Sequence, residues 1–469
     1  MKKIVFILLF ISVHLSNAVE LFSYKLNENE KLEGNFSLVV NNKETCHFLF
    51  IKNKESKKYI VKSCLLSSER KIKQLDDLVL DVEPNFYTSH TNGDVLTVSS
   101  YDKKKEMLTV IDFNMANGKS NFQNLNNFKP DLYFNQNNRS ILVNLGKNDV
   151  YVQVITNTKS TENKVFNIQE SMIKEYKNMK SVNFPIEGIN QSEFVKNGSI
   201  NKFRAYLGSN NLYFTTSTND SQTGVLKFDL NNNLVKSQPI DYNFNSPYID
   251  RNTFIFDENL YVLSLSANDV VVKSFNLLNN SENGKLSVVN DLSNIVDNTV
   301  VQNYFSQTKQ TNLKTTITVN KTTDNLYKVR VDRVNKLAYR YNYNWWWQHQ
   351  FMMMQMQMMQ MNQIRSLSMP GGFGPSANFD DDLLMISSKA KEYNYFEFVV
   401  DANFIPQKNS TSETEYKNFE IDELIKEFEN NSSIKKFAPA FLKDEMRYIY
   451  QNNKTKEIII DFKKILKFI

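Results

Sequence analysis

The feature that most constrains this chain is a unit of two apolar runs joined by a short polar turn, which recurs along its length. In the clearest copy, residues 260–265 and 270–275 are apolar and flank the polar residues 266–269. Runs of this length that are rich in β-branched residues and bounded by a polar turn predict a β-hairpin. We expect eight hairpins, whose first strands begin near residues 46, 95, 141, 212, 260, 315, 383 and 447.

A short aromatic segment precedes several of these hairpins and predicts an additional strand in each unit. These segments are residues 86–87, 132–134, 203–206, 254–256 and 304–305. Units of three or four strands that recur at about 40 to 50 residues are typical of propeller blades.

On these units the chain resembles the β-propeller superfamily over roughly residues 35–465. Its stretch LYVLSLSANDVVVKSFNL is similar to the central hairpin of kelch-like or WD-like blades. The paired glycines of kelch blades and the Gly-His and Trp-Asp dipeptides of WD blades are absent. The resemblance implies an all-β fold, a single propeller of seven or eight four-stranded blades over residues 19–469. Tandem β-sandwiches are the alternative.

Two segments with helical periodicity interrupt the repeats. Residues 171–180 predict a helix between the third and fourth hairpins. Residues 420–430 place apolar side chains at helical spacing and predict a short helical insertion near 413–446.

The N-terminus has the pattern of a secretory signal peptide over residues 1–18. Lys2 and Lys3 precede an apolar run, and the small residues Ser16 and Ala18 predict cleavage after Ala18. The apolar run is too short for a membrane span. We therefore expect the chain to be secreted, in the extracellular space or the lumen of the secretory pathway.

The two cysteines predict a disulfide bond. A hairpin centred on Glu55 places Cys46 opposite Cys64, and opposite residues of an antiparallel pair have the separation that a disulfide needs. The secretory compartment is oxidising, so we expect a Cys46–Cys64 bridge.

N-glycosylation sequons are numerous, and several fall in predicted turns, where an acceptor must lie. The preferred candidates are Asn35, Asn138, Asn197, Asn219, Asn279, Asn320 and Asn453; the other sequons are at Asn190, Asn409, Asn430 and Asn431.

Motifs that would carry catalysis or metal binding are absent from the sequence. It has no HExxH, no cysteine cluster, no nucleophile elbow and no nucleotide-binding loop. Asp112 and Asp229 recur at similar blade positions and could form an acid–base pair in a glycosidase, although strand-end capping is the structural alternative. The acidic run 380–382 is typical of a solvated loop. We therefore expect no catalytic residue, no metal and no cofactor.

A low-complexity block over residues 341–376, rich in Trp, Met and Gln, is the most unusual segment of the chain. Three interpretations stay open. The block is a disordered insertion, or a partner-binding element with contacts from Trp345, Trp346, Trp347, Phe351 and Met354, or a copper(I) site of methionines with His349.

These features favour a non-enzymatic recognition or adhesion protein that binds an extracellular protein or glycan through propeller loops. A propeller-based glycan hydrolase and a structural matrix or coat protein are the alternatives. The formal net charge of +5, which becomes +3 without the two leader lysines, indicates no nucleic-acid partner. The sequence leaves the oligomeric state open.

Overall fold

The protein is described by a computed structural model over residues 22–126, 128–136, 138–179, 186–191, 195, 198–216, 222–242, 244, 248–310, 312–335, 395–408, 413–414, 428, 431–442 and 445–464. Within these ranges the chain forms seven sheets, which follow one another along the sequence and are antiparallel apart from one parallel pair in the fourth sheet. The all-β propeller is therefore confirmed, with seven blades.

The strands of the first four blades follow the short strand β1 (Phe22–Tyr24). Blade one contains β2 (Glu30–Asn41), β3 (Glu44–Asn53), β4 (Tyr59–Leu66), β5 (Ile72–Gln74) and β6 (Leu78–Leu80). Blade two contains β7 (Phe86–Asn92), β8 (Val95–Asp102), β9 (Met107–Asn114) and β10 (Ser120–Asn126). Blade three contains β11 (Leu132–Gln136), β12 (Arg139–Leu145), β13 (Asp149–Asn157) and β14 (Ser160–Asn167). After helix α1 (Glu170–Met179), blade four contains β15 (Glu187–Ile189), β16 (Phe203–Leu207), β17 (Asn211–Thr216), β18 (Gln222–Asp229), β19 (Leu234–Ser237) and β20 (Ile240–Asp241).

The last three blades complete the ring. Blade five contains β21 (Asp250–Phe256), β22 (Asn259–Leu265), β23 (Val270–Asn276) and β24 (Ser281–Ser287). After helix α2 (Asn298–Ser306) and a 3-10 turn (Gln307–Lys309), blade six contains β25 (Leu313–Lys321), β26 (Tyr327–Asn335) and β27 (Tyr395–Val400). Blade seven contains β28 (Ile434–Phe441), β29 (Glu445–Asn452) and β30 (Ile458–Lys464), and β1 is its outermost strand.

The ring closes through the pairing of the two ends of the described chain. β1 pairs antiparallel with β30, with Phe22 opposite Ile460. On the inner side, Asn35 of β2 donates a hydrogen bond to the carbonyl of Lys436, and the Lys436 ammonium donates back to the carbonyl of Leu32. Blade seven is therefore fixed to blade one at both its outer and its inner strand.

The core lies between the blades, because each sheet buries both of its faces. One cluster joins blades four, five and six, and smaller clusters join blades one and two, two and three, three and four, and seven and one. At about 25 cal/mol per Å² of buried apolar surface, this packing is the main stabilising term, and no blade could obtain it alone.

A turn with one recurring structure connects strands in several blades. An Asn or Asp at the first position accepts backbone N–H bonds two or three residues later, and the fifth residue has a positive φ. The six copies begin at Asn53, Asp102, Asn114, Asp229, Asn276 and Asn452 and end at Lys57, Glu106, Gly118, Asn233, Asn280 and Lys456.

The predicted disulfide is wrong because of this turn geometry. The turn from Asn53 to Lys57 sets a register in which Cys46 pairs with Leu65 and Cys64 pairs with His47. A shift of one residue moves a side chain to the other face of the sheet. Both cysteines are accordingly free and buried, with Cys46 in the cluster toward blade two and Cys64 in the cluster toward blade seven.

The other hairpin predictions hold with two corrections. The sequence pairs residues 395–400 with residues 383–386 in a seventh hairpin. Residues 395–400 instead form β27, which pairs with β26 in blade six. Residues 383–386 lie outside the described residues. Tyr304 and Phe305 lie in α2 and not in a strand. The helix expected at 171–180 is confirmed as α1.

The helical insertion expected near 413–446 is wrong for residues 434–441 and 445–446, which are not helical. Residues 434–441 form β28 and the chain then turns into β29. Of the predicted helix 420–430, only Phe428 lies within the described ranges.

Candidate functional site

The long connections of the chain emerge at one end of the propeller. Strands alternate in direction within a blade, so turns after second strands share an end with the connections between blades. The amide N–H of Lys54, in the turn between β3 and β4, donates to the carbonyl of Asn29, in the connection from β1 to β2. Asn453, between β29 and β30, makes the equivalent bond to Ser433. We call this end the insertion end.

Three long segments begin and finish at the insertion end. They are 168–186, which includes α1; 288–312, which includes α2; and 336–394, between the second and third strands of blade six. The segment 401–433, between blades six and seven, finishes there but begins at the other end, because Val400 is opposite Tyr327, the first residue of β26. The other end carries short turns, where Arg70 of blade one pairs with Glu445 of blade seven at 3.5 Å.

The predicted contact residues Trp345, Trp346, Trp347, Phe351 and Met354, like His349 and residues 380–382, lie outside the described residues. The described chain leaves blade six at the end of β26 and returns at Tyr395, the first residue of β27. Because Tyr395 is opposite Asp332 in the register, both attachment points of the 341–376 block lie on adjacent strands at the insertion end.

A buried ion-pair network supports these attachment points. Arg330 makes two hydrogen bonds to the Asp332 carboxylate, at 2.7 and 3.0 Å, and a third to Glu397 at 3.3 Å. The Tyr395 ring stacks on its guanidinium at 3.6 Å. Burial alone would lower the pKa of Arg330, but the carboxylates of Asp332 and Glu397 raise it, so the cation persists. Blade six is therefore rigid where the block enters and leaves.

A second cationic group, Arg251, lies near the insertion end among aromatic rings. Its guanidinium carbon lies 3.6 Å from the centre of the Tyr248 ring, 5.3 Å from Phe244 and 5.5 Å from Tyr242. Its Nε and Nη1 atoms are buried, and no described residue accepts a hydrogen bond from them. A buried donor without a partner is costly, and a carboxylate or sulfate group would satisfy it. The aromatic residues that precede Arg251 were the available sequence signal, and sequence reasoning missed them.

The chain itself fills part of the central channel. β15 lies inside the ring and pairs in parallel with β16. Gln191 then donates to the carbonyl of Ile255 in blade five, and Asn320 in blade six exchanges two 3.0 Å hydrogen bonds with the backbone of Val195. Gly198 approaches Ile317 so closely that a Cβ atom there would collide with its carbonyl oxygen.

We call the described residues of this segment, 186–191, 195 and 198–201, the plug. It contacts blades three to six, and Ile189 and Val195 belong to their shared core. A substrate site that requires an open channel along these blades does not fit this arrangement.

The two recurring acids have structural roles. Asp112 accepts hydrogen bonds from Thr97 at 2.8 Å and from the backbone and hydroxyl of Thr158 in the next blade, at 2.8 and 2.6 Å. Asp229 is the first residue of a recurring turn and accepts from Asn231 and Asn232. The side-chain hydrogen bond from Asn232 is the main reason that the pKa of Asp229 is lowered. In the described part of the chain these acids are not brought together as a catalytic pair.

Both described histidines belong to buried polar networks between blades. His47 contacts the Ser37 and Thr45 hydroxyls at 2.8 and 3.0 Å, and His90 contacts Ser140 at 2.8 Å. Burial lowers the pKa of His47 to about 3 and also lowers that of His90. The Ser–His contacts resemble part of a hydrolase triad, but Ser37 and Ser140 are buried and cannot reach a substrate.

The structure places some of the predicted glycan acceptors in the core and others at the surface. Asn35, Asn320 and Asn190 are buried, and the first two use their side-chain amides in hydrogen bonds, so a glycan there is incompatible with the fold. Asn138, Asn279 and Asn431 are exposed, and Asn453 is half-buried. Asn197, Asn219, Asn409, Asn430 and the predicted cleavage site after Ala18 lie outside the described residues.

Metal binding and membrane insertion find no support in the described residues. These residues contain no group of three or more His, Cys, Asp or Glu side chains that could hold a metal ion. None of their helices has the length and apolar character needed to cross a membrane.

Comparison with known proteins identifies no family for this chain. No family model and no curated protein matches the chain. The β-propeller domain of the Trilobed protease from Pyrococcus furiosus is 6% identical, with 93% of this chain and 97% of that chain covered, at a TM-score of 0.33. A prolyl endopeptidase is 7% identical over 93% of this chain and 51% of that chain, at 0.34. A protein from Lactobacillus plantarum is 12% identical over 64% and 80%, at 0.28. TM-scores this low carry no argument about fold or activity, and the kelch and WD families are not supported.

Proposed function

We propose that this chain is a secreted, N-glycosylated recognition or adhesion protein, which binds an extracellular protein or glycan through the insertion end. The observation that carries the proposal is that three long segments, 168–186, 288–312 and 336–394, begin and finish at that end. Binding residues are concentrated on loops that a rigid scaffold positions, and here the scaffold is the propeller.

The chemistry available at the insertion end suits recognition. The 341–376 block contributes tryptophan and methionine side chains, which make adaptable apolar contacts. Arg251 contributes a cation, two of whose buried donor atoms have no partner among the described residues, which favours a ligand with carboxylate or sulfate groups. An acidic glycan or an acidic protein surface combines both requirements. The hydrolase and matrix-protein alternatives have no comparable observation in their favour, since Asp112 and Asp229 are held by structural hydrogen bonds.

The experiment compares the full chain with a variant in which a short Gly-Ser linker replaces residues 341–376. Binding is measured as saturable retention on an array of acidic and neutral glycans and on purified extracellular matrix proteins. We expect the replacement to abolish binding and Arg251→Gln to weaken it on acidic ligands. Lys43→Glu, in a short turn at the other end, is the matched control and should bind normally.

Circular dichroism melting establishes that each variant is folded. Binding that survives the replacement but is lost with Lys43→Glu would place the site at the wrong end and contradict the proposal. Release of sugar from an array ligand that depends on Asp112 would favour the hydrolase instead.

A further inference from the structure

A groove between blades four and five, at the end opposite the insertion end, is lined by a glycan acceptor. The groove has a volume of about 300 Å³, at the lower end of the range for small-ligand pockets. One wall is β18 and β19, and the other is the recurring turn from Asn276 to Asn280. Asn279 is a lining residue.

Asn279 is presented for modification. The Asn276 side chain accepts hydrogen bonds from the backbone of Leu278 and Asn279, which fixes the turn. The side-chain Oδ1 of Asn279 accepts from the backbone N–H and hydroxyl of Ser281, at 3.0 and 2.7 Å, so the first and third residues of the sequon are already in contact. Its Nδ2 atom has no hydrogen-bond partner among the described residues, unlike that of Asn35 or Asn320.

Two leucines are exposed in the groove. Leu234 is 52% exposed and Leu278 is 64% exposed, and they lie on opposite walls. The polar groups at the base are already paired. Gln238 donates to the carbonyl of Leu277 at 3.0 Å, and Asp229 accepts from its own turn. The groove therefore presents two exposed leucines among polar side chains, with the exposed Lys236 beside them.

We infer that Asn279 is N-glycosylated and that the first N-acetylglucosamine residues of the glycan lie in this groove, over Leu234 and Leu278. The inference rests on the proposed secretion. In the reaction, Nδ2 attacks C1 of an oligosaccharide carried on a polyisoprenyl pyrophosphate. The C–N bond forms, the C1–O bond to the pyrophosphate breaks, and one amide proton is lost. A pyranose ring has an apolar face that covers the two leucines, and its hydroxyls and acetamide are within reach of Lys236.

The test expresses the full chain in eukaryotic cells in two versions, one with its own residues 1–18 and one with an established signal peptide in their place. Peptide-N-glycosidase in ¹⁸O water converts each occupied Asn to labelled Asp, which mass spectrometry locates. We expect label at Asn279 and none at Asn35, Asn190 or Asn320. Failure of only the native leader to direct secretion would refute the proposed secretion. Absence of label at Asn279 in the version with the established signal peptide would overturn the inference.

The position of the glycan is tested by the acylation rate of Lys236 in the folded protein, with Lys71, an exposed lysine in blade one, as internal reference. Ser281→Ala should remove the glycan and increase the rate at Lys236. Ser281→Thr should keep the glycan and the slow rate, and Asn138→Gln, which removes another exposed acceptor, should change neither. An occupied Asn279 with equal rates in the wild type and Ser281→Ala would refute the position in the groove.

Discussion

Acid should destabilise this protein through His47, and the size of the effect can be worked out from the structure. His47 is 1% exposed, and its ring lies between the hydroxyls of Ser37 and Thr45. Burial is the main cause that lowers its pKa from 6.5 to about 3, and the positive charge of Arg447 adds to the effect. The folded state therefore keeps the ring neutral at a pH where the unfolded chain binds a proton.

The sign follows from proton linkage. Between about pH 6.5 and pH 3 the unfolded state holds one more proton at this residue than the folded state, so the free energy of unfolding decreases as the pH decreases. The slope is about 1.4 kcal/mol per pH unit, which gives a loss of about 2 kcal/mol at pH 5 relative to pH 7. Above pH 6.5 this residue contributes no pH dependence.

The assay is urea denaturation followed by circular dichroism, at pH 7 and at pH 5, for the wild type and for His47→Gln. Glutamine can bond to both hydroxyls but does not titrate, so the variant should lose about 2 kcal/mol less than the wild type between the two pH values. His90→Gln is the matched control. Burial also lowers the pKa of His90, so this substitution should remove a separate part of the acid sensitivity. Identical pH dependence in the wild type and His47→Gln would refute the reasoning, since His47 would then titrate normally in the fold.

Three further predictions concern the scaffold. Cys46 and Cys64 should resist a thiol reagent in the native protein and react fully, without a reductant, once it is unfolded; an unfolded, unreduced chain with no reactive thiol would contradict the register. Asn320→Ala removes both hydrogen bonds to the backbone of Val195 and should lower the free energy of unfolding by about 1 to 3 kcal/mol. An unchanged melting curve would show that this residue does not fix the plug. Removal of β1 leaves β30 as an open edge and should lower the melting temperature and promote association on size-exclusion chromatography; an unchanged monomer would show that the inner contacts alone close the ring.

The architecture could be predicted because it depends on features that the sequence displays directly. Each hairpin is a pair of apolar runs around a polar turn, and the runs at 260–265 and 270–275 match β22 and β23 closely. Blade six was misinterpreted because its first hairpin is formed by the first and second strands. Its third strand, β27, follows only after the long 336–394 segment, so the sequence places residues 395–400 in a separate seventh hairpin that begins near residue 383.

What could not be predicted was register, because register depends on single backbone conformations. Lys57 has a positive φ of 60°, which a lysine rarely adopts, and the Asn53 side chain stabilises that turn. Composition predicted a turn but not its length, and one residue of difference separated Cys46 from Cys64. The recurring spacing of an Asn or Asp four residues before the end of a turn was visible in the sequence and would have corrected this.

The same turn explains how one motif serves two ends of the molecule. Copies at Asn53 and Asn452 lie at the insertion end, where they hold short turns beside the long segments. Copies at Asp229 and Asn276 lie at the other end and form the walls of the groove beside Asn279. The carboxylate of Asp229, a catalytic candidate in the sequence, thus holds the turn that forms one wall of the groove beside Asn279. Glycans on Asn138 and Asn279 would lie at that end, away from Arg251, whereas a glycan on Asn431 or Asn453 would lie at the insertion end. Recognition through the insertion end is therefore best served by occupancy of Asn138 and Asn279.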